Sequence, residues 1–159
     1  MTANEVEIAV ADYFNPRMNV IVPNISWGMG LRYEADMVVL RPSGWAIEIE
    51  IKVTRSDIAA DLRKHHFHNA PIFRQLWFAL PEEIANDPRI PQNAGILEMV
   101  ENDWKNSCTR FVKVLRPAKL NPVARKLTEA EIKKLLELGV MRIWTLKAKL
   151  AGMMAKKIN

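Results

Sequence analysis

The sequence predicts a mixed α/β domain: a sheet of about four to five strands with helices on its faces and a basic helical tail. Three observations predict it. Residues 4–14 carry apolar side chains at helical spacing. Residues 32–53 alternate in two runs around "PSG". Further apolar runs of strand length follow a polar, helix-like stretch. The 159 residues read as one domain, 1–159, with a core over about 4–120 and a tail over about 127–159.

In "NEVEIAVADYF" (4–14), Val6, Ala9, Val10 and Tyr13 recur at three- and four-residue steps, and "NP" at 15–16 ends the helix. Residues 19–22 suit a short strand, and Pro23 to Gly30 a loop. Residues 32–41 and 45–53 form a hairpin closed by Pro42, Ser43 and Gly44; Pro suits the first turn position and Gly the left-handed one. Residues 55–68 read as a polar helix. "QLWFAL" (75–80) has the length of a buried strand and stops at Pro81, and "EEIAND" (82–87) is a short helix or turn. "AGILEMV" (94–100) and "RFVKVLR" (110–116) are strands, the second half-buried. In the tail, Thr128 and Glu131 fit a reciprocal capping pair, and Gly139 is the expected break between two helices. Ile132, Leu135, Leu136, Ile143, Leu146 and Leu150 give the tail an apolar stripe. Such a stripe docks on the domain or on a second copy, giving a homodimer through the C-terminal helix.

A hydrophobic fraction of 49% with 26% charged residues is that of an ordinary globular chain, so composition excludes disordered and fibrous classes. Cys108 is the single cysteine, which excludes an intramolecular disulfide and a cysteine-rich zinc site. The N-terminus lacks the basic and apolar blocks of a signal peptide, and no apolar run approaches ~18 residues. A cytoplasmic protein, neither secreted nor membrane-bound, is expected. The net charge of +5 is unevenly placed: residues 119–159 hold ten Lys or Arg and three Glu, +7, which leaves 5 − 7 = −2 for residues 1–118. A basic tail on a slightly acidic body suits a phosphate-tracking arm, and equally a solvated helix face.

The hairpin carries the chemistry. Strand side chains alternate faces, so Ile47, Ile49 and Ile51 share one face with Met37 and Val39. Glu48, Glu50 and Lys52 share the other with Glu34 and Asp36. A three-residue turn at 42–44 makes cross-strand partners sum to 86, setting Asp36 against Glu50 and Glu34 against Lys52. Opposed like charges cost a ladder roughly 0.2–1 kcal/mol per pair. A divalent cation reverses that sign, and Mg²⁺ takes one or two carboxylates plus water and phosphate oxygens. A solvated Glu/Lys face is the plain alternative. Beyond the strand, Asp57, Asp61 and Lys64 follow helical spacing and share a face. His65, His66 and His68 lack a fourth ligand for zinc and serve as phosphate or base contacts, or as a polar helix end. Trp77 belongs to the core, while Trp27 and Trp45 flank the hairpin and either stack on bases or anchor the loop.

An acid on one strand and acid-x-Lys on the next, here Asp36 and then Glu50-Ile51-Lys52, resembles the PD-(D/E)XK nuclease superfamily. The surroundings "YEADMVVL", "PSGW", "EIKVTRSDIAADLRK", "LWFALP" and "AGILEM" resemble its MmcB-like branch of DNA repair proteins, over residues 30–120 or so. The resemblance implies a restriction-endonuclease-like mixed sheet flanked by helices, and Mg²⁺- or Mn²⁺-dependent hydrolysis of phosphodiester bonds. It implies DNA ahead of RNA, in repair, recombination or restriction-type processing. Asp36 and Glu50 would be metal ligands with the Ile51 backbone carbonyl, and Lys52 the catalytic lysine. Thr54 (where Ser is usual), Asp57, Asp61 and Lys64 (one residue later than the branch pattern) would support them, beside Glu34 and Glu48. A glutamate of the first helix, Glu5 or Glu7, would join. Arg55, Arg63, His65 and His66 are candidate nucleic-acid contacts. The alternative is a non-catalytic nucleic-acid-binding or scaffold protein that keeps the fold.

Overall fold

Six strands form one mixed sheet whose spatial order follows the chain. The computed structural model describes residues 1–25, 28–62, 70–104 and 107–157, with the backbone alone at 62, 102–104, 107–110 and 154–157. The helix α1 (Ala3–Phe14) is followed by strands β1 (Val20–Ile25), β2 (Ala35–Leu40) and β3 (Ala46–Ile51), then by helix α2 (Arg55–Leu62). Strand β4 (Phe73–Pro81), a 3-10 turn (Glu82–Ile84), β5 (Gly95–Trp104), β6 (Ser107–Arg116) and helix α3 (Glu129–Lys157) complete the chain. Strands β1, β2 and β3 are antiparallel. Strands β3, β4 and β5 are parallel, and β6 returns antiparallel to β5.

The strand count exceeds the expected four to five because both outer strands pair along their length. The stretch at 19–22 extends to Ile25 and pairs with β2 from Val20–Leu40 to Ile25–Ala35. The run at 110–116 extends back to Ser107 and pairs with β5 from Ile96 to Trp104. The hairpin register follows its turn. Pairs Met37–Ile49, Val38–Glu48, Val39–Ile47 and Leu40–Ala46 all sum to 86. The Gly44 amide donates to the Arg41 carbonyl, and Gly44 takes φ +85°, which suits a residue without Cβ.

Helices cover both faces. On one, α1 buries Val6, Val10 and Phe14 against Met37, Ile47, Ile49 and Trp77. Thr2 and Glu5 close its N-terminus as a capping box. On the other, α3 seats Leu135 and Leu138 over Val22, Val38 and Leu40, and Ile58 of α2 packs on Leu76, Phe78 and Leu80. Glu48 lies on this second face between Val38 and Leu76, and Glu50 follows it beside Phe78.

The expected break at Gly139 does not occur: α3 runs through it unbroken. A Cβ at Gly139 would stand 3.3 Å from Val22 Cγ2, so the glycine lets helix and β1 approach closely. That packing outweighs the roughly 1 kcal/mol that a mid-helix glycine costs. No helix among the described residues is long and apolar enough to cross a membrane.

Candidate active site

The pairing of β2 with β3 ends at Met37–Ile49, and the next step of the register sets Asp36 against Glu50. There the ladder opens. The Ile51 amide donates to the Asp36 carboxylate at 2.8 Å, so a side chain takes over a backbone bond. This fixes Asp36 at the end of β2, facing the last residues of β3. Glu50, 1% exposed, continues the polar face of β3. Lys52, just past the strand and 6% exposed, turns its ammonium into the same space. Its Nζ lies 2.5 Å from Glu50 Oε2, 3.3 Å from Asp36 Oδ2 and 3.4 Å from Asp61 Oδ1. Asp61, near the end of α2, is buried as well.

Three carboxylates therefore surround one ammonium, and the group carries −3 + 1 = −2 when all are ionised. Burial alone would lower the pKa of Lys52. The charges of Glu50 and Asp36, the hydrogen bond to Glu50 and the charge of Asp61 together hold it above the usual lysine range. Glu48 is fully buried beside them. The Tyr33 hydroxyl is held against it, and burial, then the Glu48 charge and hydrogen bond, then Glu50 and Asp61, raise the phenol well above its ordinary value.

Residues expected at the site divide into three groups. Asp36, Glu50, Lys52 and Asp61 meet, with Ile51 between them and Glu48 adjoining. Glu7 of α1 is half-buried and lies near enough to Asp36 to feel its charge; burial first, then Asp36, raises its pKa. Glu5 is committed to the cap with Thr2, so Glu7 is the first-helix glutamate nearer the cluster. The second group has other partners or lies in solvent. The Thr54 hydroxyl accepts from the Asp57 amide at 3.1 Å, and the Asp57 carboxylate accepts from the Thr54 amide at 3.0 Å. Together they cap α2. Arg55 reaches Asp87 and the Glu83 carbonyl. Glu34 is exposed, because β2 begins only at Ala35 and strand alternation does not reach it. Arg63, Lys64, His65, His66, His68 and Trp27 lie outside the described residues. Trp45 anchors the hairpin loop, with the Arg74 guanidinium 4.5 Å above its ring.

Tyr33 is the neighbour that sequence reasoning missed. Met37 and Val39 face α1, so continued parity would place Tyr33 on the wrong side, but Ala35 already packs on the α3 side and Tyr33 lies with it. It precedes the strand, where parity has no hold.

The donor set fits a hard cation. Carboxylate oxygens of Asp36 and Glu50 both reach the point held by the Lys52 ammonium, and oxygen pairs of this kind suit Mg²⁺ or Mn²⁺. Among the described residues no group of three or more His, Cys, Asp or Glu forms a ready cage. Waters and phosphate oxygens would complete the coordination.

Comparison with known proteins shows the fold alone. No family model matches the chain, and no curated protein does. One solved structure is similar: the SPO1766 protein of unknown function from Silicibacter pomeroyi, at 20% identity and TM-score 0.64, over 95% of this chain and 92% of that one. The likeness spans the whole arrangement of helices and sheet, and it brings no activity with it.

Proposed function

We propose that the chain is a Mg²⁺- or Mn²⁺-dependent nuclease of restriction-endonuclease-like fold, acting in the cytoplasm on DNA ahead of RNA, in repair, recombination or restriction-type processing. One observation carries the reading. Asp36 and Glu50, brought together by a strand register, both meet the ammonium of one buried lysine. Asp36 and Glu50 would hold the cation with the Ile51 backbone carbonyl. Once bound, the metal supplies Lewis-acid polarisation of a phosphate and a more acidic bound water. Lys52, released from part of its carboxylate shell, donates to a phosphate oxygen and stabilises charge that grows there. Asp61 holds the lysine over the site, and Glu7 adds a carboxylate from the α1 side.

A second reading is a non-catalytic nucleic-acid-binding or scaffold protein that keeps the fold. The engagement of all three carboxylates by Lys52 favours it, since part of that shell must give way before Asp36 and Glu50 can hold a cation. Incubation of plasmid and linear DNA with wild type, Glu50→Gln and Lys52→Ala, in Mg²⁺, Mn²⁺ or EDTA, separates the two. The nuclease reading expects cleavage by wild type alone and only with metal. Calorimetric titration with Mn²⁺ adds a readout independent of turnover: one binding event, lost in Glu50→Gln. Cleavage that survives Lys52→Ala would refute the assigned lysine role.

A further inference from the structure

The helix α3 has two apolar faces, and the described residues cover only one of them. Leu135 and Leu138 are buried on the sheet, Ile132 packs beside them, Gly139 meets Val22, and Arg142 donates to the Asn24 carbonyl. This docked face ends at Arg142. Fifteen further residues of a 29-residue helix follow. A different row faces solvent: Leu136, Val140, Ile143 and Leu150 are 45–58% exposed, and Trp144 on its flank is 65% exposed.

The steps along that row, 136, 140, 143, 147, 150, alternate four and three. This is the seven-residue repeat of a coiled-coil seam, distinct from the docked face. Lys147 takes one seam position and lays its ammonium over the Trp144 ring at 5.2 Å, leaving its stem along the seam. Chains that act alone rarely expose so continuous an apolar strip.

We propose that this seam pairs with the same seam of a second copy, antiparallel, to make a homodimer. Charge selects both occupant and direction. Residues 138–157 carry five Lys or Arg and no acid, whereas residues 129–137 carry three Glu and two Lys, −1 net. A parallel pair would set five cations against five. An antiparallel pair sets each basic half against the half holding Glu129 and Glu137, beside a Glu131 already bound to Arg125, and opposes the helix dipoles. A specific interface buries about 1,000 Å² or more. Two copies of a strip with several large side chains each, along 15 residues or some ~22 Å of helix, are of that order. The lone lysine in the seam fixes register at some loss of affinity.

Analytical ultracentrifugation of the full chain at micromolar concentration tests this. Wild type is expected to be a dimer. Ile143→Glu and Leu150→Glu, each far from the docked face and checked for folding by circular dichroism, are expected to be monomers. Copies carrying Lys133→Cys and Lys149→Cys in a Cys108→Ser background, spin-labelled and mixed, read the direction. Antiparallel pairing brings the unlike labels closer than either like pair. A monomeric wild type, a dimer indifferent to both glutamates, or like labels nearest each other would each overturn the proposal. So would a monomer whose Ile143→Glu variant loses binding to DNA or anionic vesicles, since the strip would then serve those surfaces.

Discussion

At the scale of single residues, Lys52 decides the character of the site. Its ammonium is buried and meets Glu50, Asp36 and Asp61. Removing one partner of a buried ionic cluster leaves uncompensated charge, typically about 3–5 kcal/mol of lost stability. Lys52→Met should therefore unfold at clearly lower urea, and Lys52→Met with Glu50→Gln should recover part of the loss. A double variant no more stable than the single would refute the coupling. Alkaline pH should repeat the effect. Lys52 and Tyr33 both have folded pKa values raised above their unfolded ones. Their stabilising contributions are full below about pH 10 and fall as pH rises through the folded values, each by about 1.4 kcal/mol per pH unit. The wild-type urea midpoint should drop more steeply above pH 10 or so than that of Tyr33→Phe. Much of this cluster was legible in the sequence. Strand alternation and a three-residue turn put Asp36, Glu50 and Lys52 together, and helical spacing added Asp61. Tyr33 was missed and Glu34 misread because the alternation already fails at Ala35, which packs on the α3 side with Val22 and Val38. Thr54 and Asp57 showed the right residue types but serve as the cap of α2.

At the scale of elements, close packing rests on a few glycines and one loop carboxylate. A Cβ at Gly95 would fall 2.3 Å from Trp77 Cε3, so β5 runs directly beneath the indole. Gly95→Ala must displace a ring 9% exposed and should cost about 1–3 kcal/mol in thermal or chemical unfolding. Gly139→Ala sits at a softer limit, 3.3 Å from a valine methyl, and gains helix propensity. Those terms nearly cancel, whereas Gly139→Leu should push α3 off β1 and destabilise. Acid tests the loop after the 3-10 turn. There the Asp87 carboxylate accepts from the Arg89 side chain at 2.7 and 2.8 Å and from its amide at 3.1 Å. The hydrogen bonds from the Arg89 side chain, outweighing burial, hold Asp87 at about 2. Its contribution is present above the usual aspartate value and is lost as pH falls through about 2. Asp87→Asn should flatten the acid limb of the stability profile. Element types were legible from hydrophobic period and from Pro and Gly. Their extents were not, because β1, β5 and β6 lengthen by pairing with neighbours distant in sequence. The unbroken α3 was hidden likewise: only the contact with Val22 shows why a glycine sits inside a helix.

At the scale of the molecule, an acidic cluster belongs to a chain whose last forty-one residues carry +7. The basic tail and the carboxylate site would act on a polyanion in opposite directions. Affinity for DNA through the tail should fall with salt at a log–log slope of about −0.9 per phosphate contacted. Lys149→Ala should lower affinity evenly across sequences and reduce that slope by about 1. When all three are ionised, Asp36, Glu50 and Asp61 exceed Lys52 by two, and the site should then repel phosphate until its charge is balanced. Glu50→Gln removes one of those charges without touching the tail. In EDTA and low salt it should bind DNA more tightly than wild type with an unchanged salt slope, as the cluster faces one phosphate and the tail several. Added Mg²⁺ should then tighten wild type more than the variant and close the gap between them. If Glu50→Gln bound no better than wild type in EDTA, the phosphate path would not pass the carboxylates. DNA held by the tail would then be held away from the cluster proposed to cut it.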